Sequence, residues 1–251
     1  MSRDIRVVTF DARGTLLKVR FPVGETYAAV AKRHGAELST AAIEGAFFAV
    51  FPDMPPLAFP PMHDDQLRQR ERQWWRTLVE RVVESADQRV DDFDEFFAEL
   101  YSLYRGAEGW KPYREAASVL CLLRSAGYRL GVVSNFDSRI EDVLLALNMS
   151  IWFDSVVFSS RAGVAKPGAG IFQRALAELD VRADQAVHVG DSLRKDWEGA
   201  RSIGMRAILL DRTDRYAGNT PTDCDVIRTL EAVLERLGVA GFSELARAHA
   251  S

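Results

Sequence analysis

Residues 6–15 read RVVTFDARGT, and this stretch decides the fold class that we predict. Its first half, Arg6 to Phe10, is a β-branched and apolar run, too short for a helix and too apolar for a strand with one face in water. The chain then turns polar at Asp11 and reaches Gly14, a residue that permits tight turns. A buried strand that ends in a carboxylate and a glycine turn is typical of the edge at which parallel sheets bind ligands.

Four further runs of the same kind follow, at Leu130–Val133, Ser155–Phe158, Ala186–Val189 and Ala207–Leu210. Segments with a helical period separate them, over Arg139–Leu147, Ile171–Leu179 and Trp197–Ile203. Regular alternation of buried strands and helices predicts an α/β fold with a Rossmann-like, doubly wound parallel sheet.

A long segment separates the first two predicted strands, and it contains helical patterns but no convincing strand. The patterns cover Gly24–His34, Ser39–Phe51, Asp64–Glu84 and Asp91–Tyr104, with a proline-rich loop at Pro52–Pro61. We predict two domains: a Rossmann-like catalytic core of residues 1–17 and 113–251, and an inserted helical cap of residues 18–112. We expect Trp74 and Trp75 to pack within the cap, with at most one facing a cleft, because adjacent helical residues point about 100° apart.

Composition excludes several classes of function. The chain has 251 residues and a formal net charge of −4, so it lacks the basic surface that nucleic acids and anionic membranes require. No run approaches the ~20 apolar residues of a transmembrane helix. Cys121 and Cys224 form no CxxC pair, which argues against a disulfide framework, and we expect Cys121 to lie in the core. Because an apolar run starts at Ile5, we expect no targeting segment and a cytoplasmic location. Nothing in the sequence indicates an oligomeric state.

Polar residues follow the predicted strands where each strand ends. Asp11 follows the first strand, where a carboxylate can attack phosphorus. Ser134 and Asn135 follow the second, and their hydroxyl and amide groups can donate hydrogen bonds to phosphoryl oxygens. Each residue taken singly is equally well explained as a helix cap. Their repeated position at strand ends is what indicates a site.

Two further clusters supply the charged groups that such a site needs, one a cation and the other a pair of carboxylates. Lys166, which precedes Pro167, can neutralise a transferred phosphoryl group. Asp191 and Asp196 follow the predicted strand Ala186–Val189, and their oxygens can hold a hard cation. We expect His188, inside that strand, to be a buried histidine with satisfied hydrogen bonds.

The ordered set resembles the four motifs of the haloacid dehalogenase-like hydrolase superfamily. The motifs correspond to residues 10–16, 133–135, 166–167 and 190–196, so the resemblance spans essentially the whole chain. It implies that Asp11 is both a nucleophile and a ligand of Mg²⁺. It further implies that the backbone carbonyl of Arg13 and the carboxylate of Asp191 bind the metal, with Asp196 beside the metal or bracing Lys166.

The same resemblance assigns the substrate contacts. It implies that Lys166 is a catalytic cation and that Ser134 holds the phosphoryl group together with the neighbouring backbone amide. Asn135 and Arg13 are expected to contribute to substrate binding. The implied substrate is a small phosphorylated metabolite, hydrolysed through an aspartyl-phosphate intermediate.

Arg13 departs from the family pattern. Family phosphatases carry a second aspartate there, which protonates the leaving alkoxide and later activates water. Arginine stays protonated and is unsuited to that work. Three interpretations stay open: a phosphatase that handles good leaving groups or recruits another acid, a catalytically impaired member that binds a phosphate or a partner, and a metal-independent dehalogenase acting at carbon. Asp191 argues against the last, and we expect a Mg²⁺-dependent phosphohydrolase.

Overall fold

The computed structural model describes residues 5–239. Its strands are β1 Val7–Phe10, β2 Leu17–Val19, β3 Trp110–Pro112, β4 Arg129–Ser134, β5 Ser155–Phe158, β6 Ala186–Gly190, β7 Arg206–Leu210 and β8 Asp225–Ile227. Six of them form a parallel sheet in the order β5-β4-β1-β6-β7-β8. The predicted α/β fold is confirmed, and all five predicted strands are present. The short edge strand β8 was not predicted.

Strand β1 occupies the centre of the sheet because all four of its residues are apolar or small enough to be buried on both faces. Val8 pairs with Leu130 of β4 on one side and with Val187 of β6 on the other. The strand order therefore reverses at β1: β4 and β5 lie on one side of it, and β6, β7 and β8 lie on the other. Ligands of open α/β sheets bind at such a reversal, beyond the carboxyl ends of the strands.

Within residues 5–239, ten α-helices surround the sheet or belong to the segment inserted after β1. Their bounds are α1 Val23–Arg33, α2 Thr40–Val50, α3 Asp64–Ser85, α4 Phe93–Leu103, α5 Ala116–Ser125, α6 Arg139–Ala146, α7 Ser159–Ala162, α8 Ala169–Glu178, α9 Gly199–Arg201 and α10 Ala232–Arg236. The helix predicted at Trp197–Ile203 is instead a π-helical turn, Leu193–Glu198, continued by α9. Helix α4 begins at the acidic N-cap Asp92, which accepts a hydrogen bond from the backbone of Glu95.

Apolar side chains divide into three buried clusters. One lies between one face of the sheet and helices α5, α6 and α10, and a second between the other face and α8 and α9. The third is built by helices α1 to α4 around residues such as Val30, Ile43 and Phe96. The helical insert thus has apolar packing of its own, which an amphipathic helix needs because its stability comes mainly from burying one face.

Strands β2 and β3 connect the helical insert to the sheet. They pair antiparallel, with Leu17 opposite Pro112 and Val19 opposite Trp110, where the chain enters and leaves the insert. No strand pattern is recognisable in the sequence at β2 or β3, because three residues are too few to show a period of two.

The prediction that Cys121 lies in the core is wrong, because its side chain is exposed. Helix α5 buries Val119, Leu120 and Leu123, and Cys121 lies on the opposite side of the helix. Within residues 5–239, no helix combines the length and the apolar character that crossing a membrane requires. The sequence also predicts two helix-like stretches from about Thr220 onward, and whatever part of them falls on residues 240–251 lies outside the described residues.

Candidate active site

The carboxyl ends of β1, β4 and β6 open into one cavity of about 660 Å³. All the predicted site residues line it: Asp11, Arg13, Ser134, Asn135, Lys166, Asp191 and Asp196. They come from four separate parts of the chain, and the parallel sheet brings them together because its strands end at the same edge. Asp11 is fixed by its backbone N–H, which donates to the carbonyl of Val189 on β6 at 2.9 Å.

Lys166 lies at the centre of the charged groups and is almost fully buried. Its Nζ donates to Asp11 Oδ1 at 2.6 Å, to Asp196 Oδ1 at 2.5 Å and to the carbonyl of Val133 at 2.8 Å. Burial alone would lower the pKa of Lys166, but the two carboxylates outweigh it and raise the pKa above its ordinary value. The ammonium is therefore charged and points at the carboxylate of Asp11.

Asp196 is the second carboxylate that accepts from the Lys166 ammonium. Its Oδ1 also contacts His188 Nε2 at 3.2 Å, and its Oδ2 accepts the backbone N–H of Ser192 at 2.9 Å. Burial opposes ionisation of Asp196, but Lys166 and His188 lower its pKa. Both carboxylate oxygens are thus already engaged by protein groups.

His188 is a buried histidine with satisfied hydrogen bonds, as predicted. Its Nδ1 lies 2.9 Å from the hydroxyl of Thr9 on β1, and its Nε2 faces Asp196. Burial lowers the pKa of His188, although the Asp196 carboxylate opposes this shift. The neutral imidazole therefore orients the carboxylate of Asp196 and adds no charge to the site.

Asp191 is the one site carboxylate that remains partly open to the cavity. Asp11, Asp191 and Asp196 each present an oxygen within 4.8 Å of the others. Burial, followed by the charges of Asp11 and Asp196, raises the pKa of Asp191 to about 6. Three carboxylates face a single lysine, and this excess of negative charge on oxygen donors fits a hard divalent cation such as Mg²⁺.

Two glycines allow the carboxylates to approach so closely. Gly14 has a φ of +94°, and a Cβ there would lie 2.5 Å from Asp191 Oδ2. A Cβ on Gly190 would lie 2.2 Å from Asp196 Cγ. Any larger residue at either position would push an acidic side chain out of the cluster.

Ser134 and Asn135 hold the other side of the site. The hydroxyl of Ser134 donates to Asp11 Oδ1 at 3.0 Å. The Asn135 amide pairs with the backbone of Lys166: its Oδ1 accepts from the N–H at 2.7 Å, and its Nδ2 donates to the carbonyl at 3.0 Å. The structure thus gives the side chain of Asn135 a role in positioning the lysine loop.

Arg13 lies exposed at the cavity, two residues after Asp11. Its backbone faces Leu17, and the turn is closed by the Gly14 N–H donating to the Leu17 carbonyl at 2.8 Å. Among residues 5–239 the structure gives its guanidinium no hydrogen bond or ion pair. The position that holds an acid in family phosphatases therefore presents an unpaired cation to the cavity.

A second group of buried charges, which sequence reasoning missed, joins α3 of the insert to the segments after β4 and β5. We call it the interface cluster: Glu71, Asp137, Ser138, Arg139 and Ser160. Glu71 Oε1 accepts the Ser138 N–H at 3.0 Å and the Ser160 hydroxyl at 2.5 Å, and Oε2 accepts the Ser138 hydroxyl. Glu71 is fully buried, and its burial raises its pKa despite these hydrogen bonds.

Asp137 and Arg139 complete the interface cluster. The Arg139 guanidinium donates to Asp137 Oδ1 at 3.0 Å through Nε and to Oδ2 at 2.7 Å through a terminal nitrogen. The indole N–H of Trp75 donates to the same carboxylate. Arg139 also lies over the ring of Tyr101, 4.1 Å from its centroid. The polar run after strand β4 was the available signal for Asp137 and Arg139, whereas Glu71 lies in a long charged helix that gave none.

Trp74 and Trp75 both line the cavity, so the prediction that at most one faces the cleft is wrong. Their rings meet edge to face with centroids 5.0 Å apart, and both contact Phe51. The rings are large enough to form one continuous wall even though their Cα–Cβ bonds diverge. Packing within the insert, the other part of the prediction, is confirmed.

Comparison with known proteins is consistent with this geometry. A family model described as haloacid dehalogenase-like hydrolase matches residues 5–204. The chain is 36% identical over 217 residues to haloacid dehalogenase-like hydrolase domain-containing protein 3 of Danio rerio, covering 85% of this chain and 88% of that protein. It is 37% identical over 102 residues to a glyceraldehyde 3-phosphate phosphatase of Methanothermobacter thermautotrophicus, which covers 40% of this chain and 45% of the phosphatase.

Solved structures share the fold over nearly the whole length. A HAD phosphatase from Thermococcus onnurineus aligns with a TM-score of 0.64 at 24% identity, over 94% of this chain and 99% of that structure. An L-2-haloacid dehalogenase aligns with a TM-score of 0.71 at 20% identity, over 94% and 100%. The two neighbours carry different names and one architecture, so the fold alone does not choose between their chemistries.

Proposed function

Because the chain belongs to the haloacid dehalogenase-like hydrolase family, we propose that it is a Mg²⁺-dependent phosphohydrolase in which Asp11 is the nucleophile. One observation carries the proposal: the Lys166 ammonium is held between Asp11 and Asp196, with Asp191 as a third carboxylate at the same point. Such a site suits a phosphoryl group, whose charge needs several cations at once. The resemblance to a glyceraldehyde 3-phosphate phosphatase supports a small phosphorylated substrate.

In the proposed first step, the Asp11 carboxylate attacks phosphorus, the ester P–O bond breaks, and its electron pair leaves with the alcohol oxygen. Lys166 neutralises charge that develops between nucleophile and phosphoryl oxygens. Ser134, which now donates to Asp11 Oδ1, is placed to donate to a phosphoryl oxygen. In the second step, water attacks the phosphorus of the aspartyl phosphate, which releases inorganic phosphate and regenerates Asp11.

The carboxylates of Asp11 and Asp191 and the backbone carbonyl of Arg13 are the proposed ligands of Mg²⁺. The bound ion would neutralise charge on the phosphoryl group and on the nucleophile. Of the two roles predicted for Asp196, bracing Lys166 fits better than binding the metal, because Lys166, His188 and the Ser192 N–H already engage both of its oxygens. We assign it to positioning Lys166. A cytoplasmic location remains a prediction from the sequence.

The helical insert is proposed to act as the cap predicted from the sequence, formed by residues 18–112. Its helices α3 and α4 contribute cavity-lining side chains such as Trp75 and Leu100, which face the charged residues of the sheet edge. A cover of this kind excludes water from the phosphoryl group and chooses the alcohol part of the substrate.

The test is hydrolysis of 4-nitrophenyl phosphate with Mg²⁺ or with EDTA. Turnover should require the metal and should fall at least about 10³-fold in Asp11→Asn, since the nucleophile is removed. Asp65→Asn, a carboxylate exposed on α3, is the matched control and should retain the parental rate. Turnover equal in the parent and in Asp11→Asn would overturn the proposal.

Arg13 supports one second candidate, a member that binds phosphate without turning it over, because the position lacks a proton donor. In that case inorganic phosphate should bind in the presence of Mg²⁺ while no ester is hydrolysed. Release of halide from 2-chloropropionate that persists in EDTA would instead identify a dehalogenase.

A further inference from the structure

The cavity has two chemically different halves. One half is the charged edge of the sheet around Asp11 and Lys166. The other half is an aromatic wall supplied by the helical insert, which consists of Phe47, Phe51, Trp74, Trp75, Phe97 and Tyr101. The two halves share one continuous space, so any ester whose phosphorus reaches Asp11 places its alcohol part against this wall.

The polar atoms of the two indoles are already used. Trp74 donates its indole N–H to the Pro55 carbonyl at 2.9 Å, and Trp75 donates its own to Asp137. What these side chains offer to an occupant is therefore ring surface. Both remain partly exposed, and covering apolar ring surface with another ring favours binding.

Arg13 restricts the chemistry of the leaving oxygen. A guanidinium does not give up a proton at neutral pH, so it cannot act as an acid toward an alkoxide. It can stabilise an oxygen that leaves as an anion, and the Arg13 side chain has no partner within residues 5–239 that would compete. Phenol-type oxygens, with a pKa near that of tyrosine at about 10, leave as anions far more readily than alkoxides.

We propose that the substrates are phosphate monoesters of phenol-type alcohols, with the ring against the aromatic wall and the oxygen leaving beside Arg13. This inference rests on the proposed function and names its substrate class. The Asp11–phosphorus bond forms as the phosphorus–aryl oxygen bond breaks, and the electron pair leaves on the phenolate. No proton is transferred in this step, and the phenolate takes one up from solvent after release.

Phenyl phosphate and benzyl phosphate provide the first test. Both carry an aromatic ring, but only the first leaves as a phenolate. With Mg²⁺, kcat/KM for benzyl phosphate should be on the order of 10²–10⁴-fold lower than for phenyl phosphate, which is the factor by which a general acid usually raises the rate. Arg13→Asp should narrow this gap by restoring a proton donor. Equal kcat/KM for the two esters in the parent would overturn the inference.

Acetyl phosphate, which has a good leaving group and no ring, isolates the contribution of the aromatic wall. Trp74→Leu should raise KM for phenyl phosphate about 5–10-fold, corresponding to about 1–1.4 kcal/mol of lost ring contact, and leave KM for acetyl phosphate unchanged. Phe48→Leu is the matched control, because Phe48 is an aromatic residue of the insert that is more than half exposed and does not line the cavity. Equal changes for both substrates in Trp74→Leu would contradict a ring-binding wall.

The outcomes separate the two claims. If hydrolysis depends on Asp11 but kcat/KM depends neither on the leaving group nor on the ring, this inference is wrong and the proposed function stands. Absence of Asp11-dependent turnover on 4-nitrophenyl phosphate would remove both.

Discussion

Two clusters of buried charge lie in the part of the chain that the structure describes, and their side chains are satisfied to different degrees. In the interface cluster, Asp137 and Glu71 receive hydrogen bonds on every carboxylate oxygen from Arg139, Trp75, Ser138 and Ser160. In the site cluster, which we define as Asp11, Lys166, Asp191 and Asp196, three carboxylates share one lysine. Among residues 5–239, the one cation that pairs with the Asp191 carboxylate is Arg215, at 3.7 Å.

The difference shows how a buried charge can be assigned a role. Buried charge is costly unless partners replace the lost water. Where the protein supplies every partner, as around Asp137, the charges fix the arrangement of two packed segments. Where a carboxylate beside a cavity has few protein partners, as at Asp191, a bound ligand has to supply the missing interactions. Four predictions test this contrast.

The largest effect is expected from Lys166→Met, which removes the only cation of the site cluster. We expect kcat to fall about 10³-fold, equivalent to about 4 kcal/mol, because charge at the phosphoryl group is no longer neutralised. Steady-state kinetics with 4-nitrophenyl phosphate measures it. Lys32→Met, an exposed lysine in the last turn of α1, should keep the parental rate. A loss below tenfold in Lys166→Met would break the assignment of this cluster to catalysis.

Arg139→Met should produce the largest loss of stability. It leaves the Asp137 carboxylate buried without its cation, which typically costs about 3–5 kcal/mol of unfolding free energy. Urea denaturation measures the loss. The double variant Asp137→Asn, Arg139→Met removes both charges and should be more stable than Arg139→Met alone. If the double variant were the less stable, Asp137 and Arg139 would not act as a compensating pair.

Added Mg²⁺ should stabilise the site cluster and leave the interface cluster unaffected. At a concentration 100 times its Kd, a ligand that binds only the folded state adds about 2.7 kcal/mol. The increase should disappear in Asp191→Asn and persist in Glu71→Gln. The measurement is the urea midpoint with and without Mg²⁺. An increase that survives in Asp191→Asn would locate the ion elsewhere.

The smallest effect concerns pH and Glu71. Its pKa is raised in the folded state, mainly by burial, with a further contribution from Asp137. The folded protein therefore binds this proton more tightly than the unfolded chain does. Stability from this group is fully present below the unfolded pKa of 4.5 and is lost as pH rises through the folded pKa, with a slope of at most about 1.4 kcal/mol per pH unit.

Glu71→Gln removes this titrating group and should make the unfolding free energy less dependent on pH above pH 4.5. The quantity to compare is the parent-minus-variant unfolding free energy between pH 4 and pH 8, in which other titrating groups cancel. If the unfolding free energy depends on pH identically in parent and variant, the pKa of Glu71 is the same in the folded protein as in the unfolded chain.

The sequence predicted the central sheet and the residues at its edge because both leave local patterns. Strands such as Val7–Phe10 are buried throughout and mostly apolar, since helices cover both faces, and a polar residue directly after such a strand marks the carboxyl end. Asp11, Ser134 and Asp191 were found in this way. The roles of their side chains remain proposals from the resemblance and the geometry.

What the sequence did not reveal depends on contacts between distant residues. Glu71 meets Ser138 across 67 positions, and nothing near Glu71 in the chain distinguishes it from the other charged residues of α3. The amide of Asn135 pairs with the Lys166 backbone 31 positions away, a contact that no local pattern indicates, and its role in substrate binding stays a prediction. Cys121 was misplaced for a local reason: it lies within an apolar run in which every neighbour suggests burial.

The paired strands β2 and β3 have a consequence for the evolution of the chain. Because Leu17 lies opposite Pro112, the insert departs from the sheet and returns to it at a single point. The length and sequence of the insert can change without altering the distance between its two ends, so one insert can be exchanged for another. The contacts between insert and core are the constraint, since a transplanted insert has to bring a carboxylate to Ser138 and Ser160 and a donor to Asp137, as Glu71 and Trp75 do. A chimera that keeps these contacts should accept new substrates on an unchanged catalytic edge.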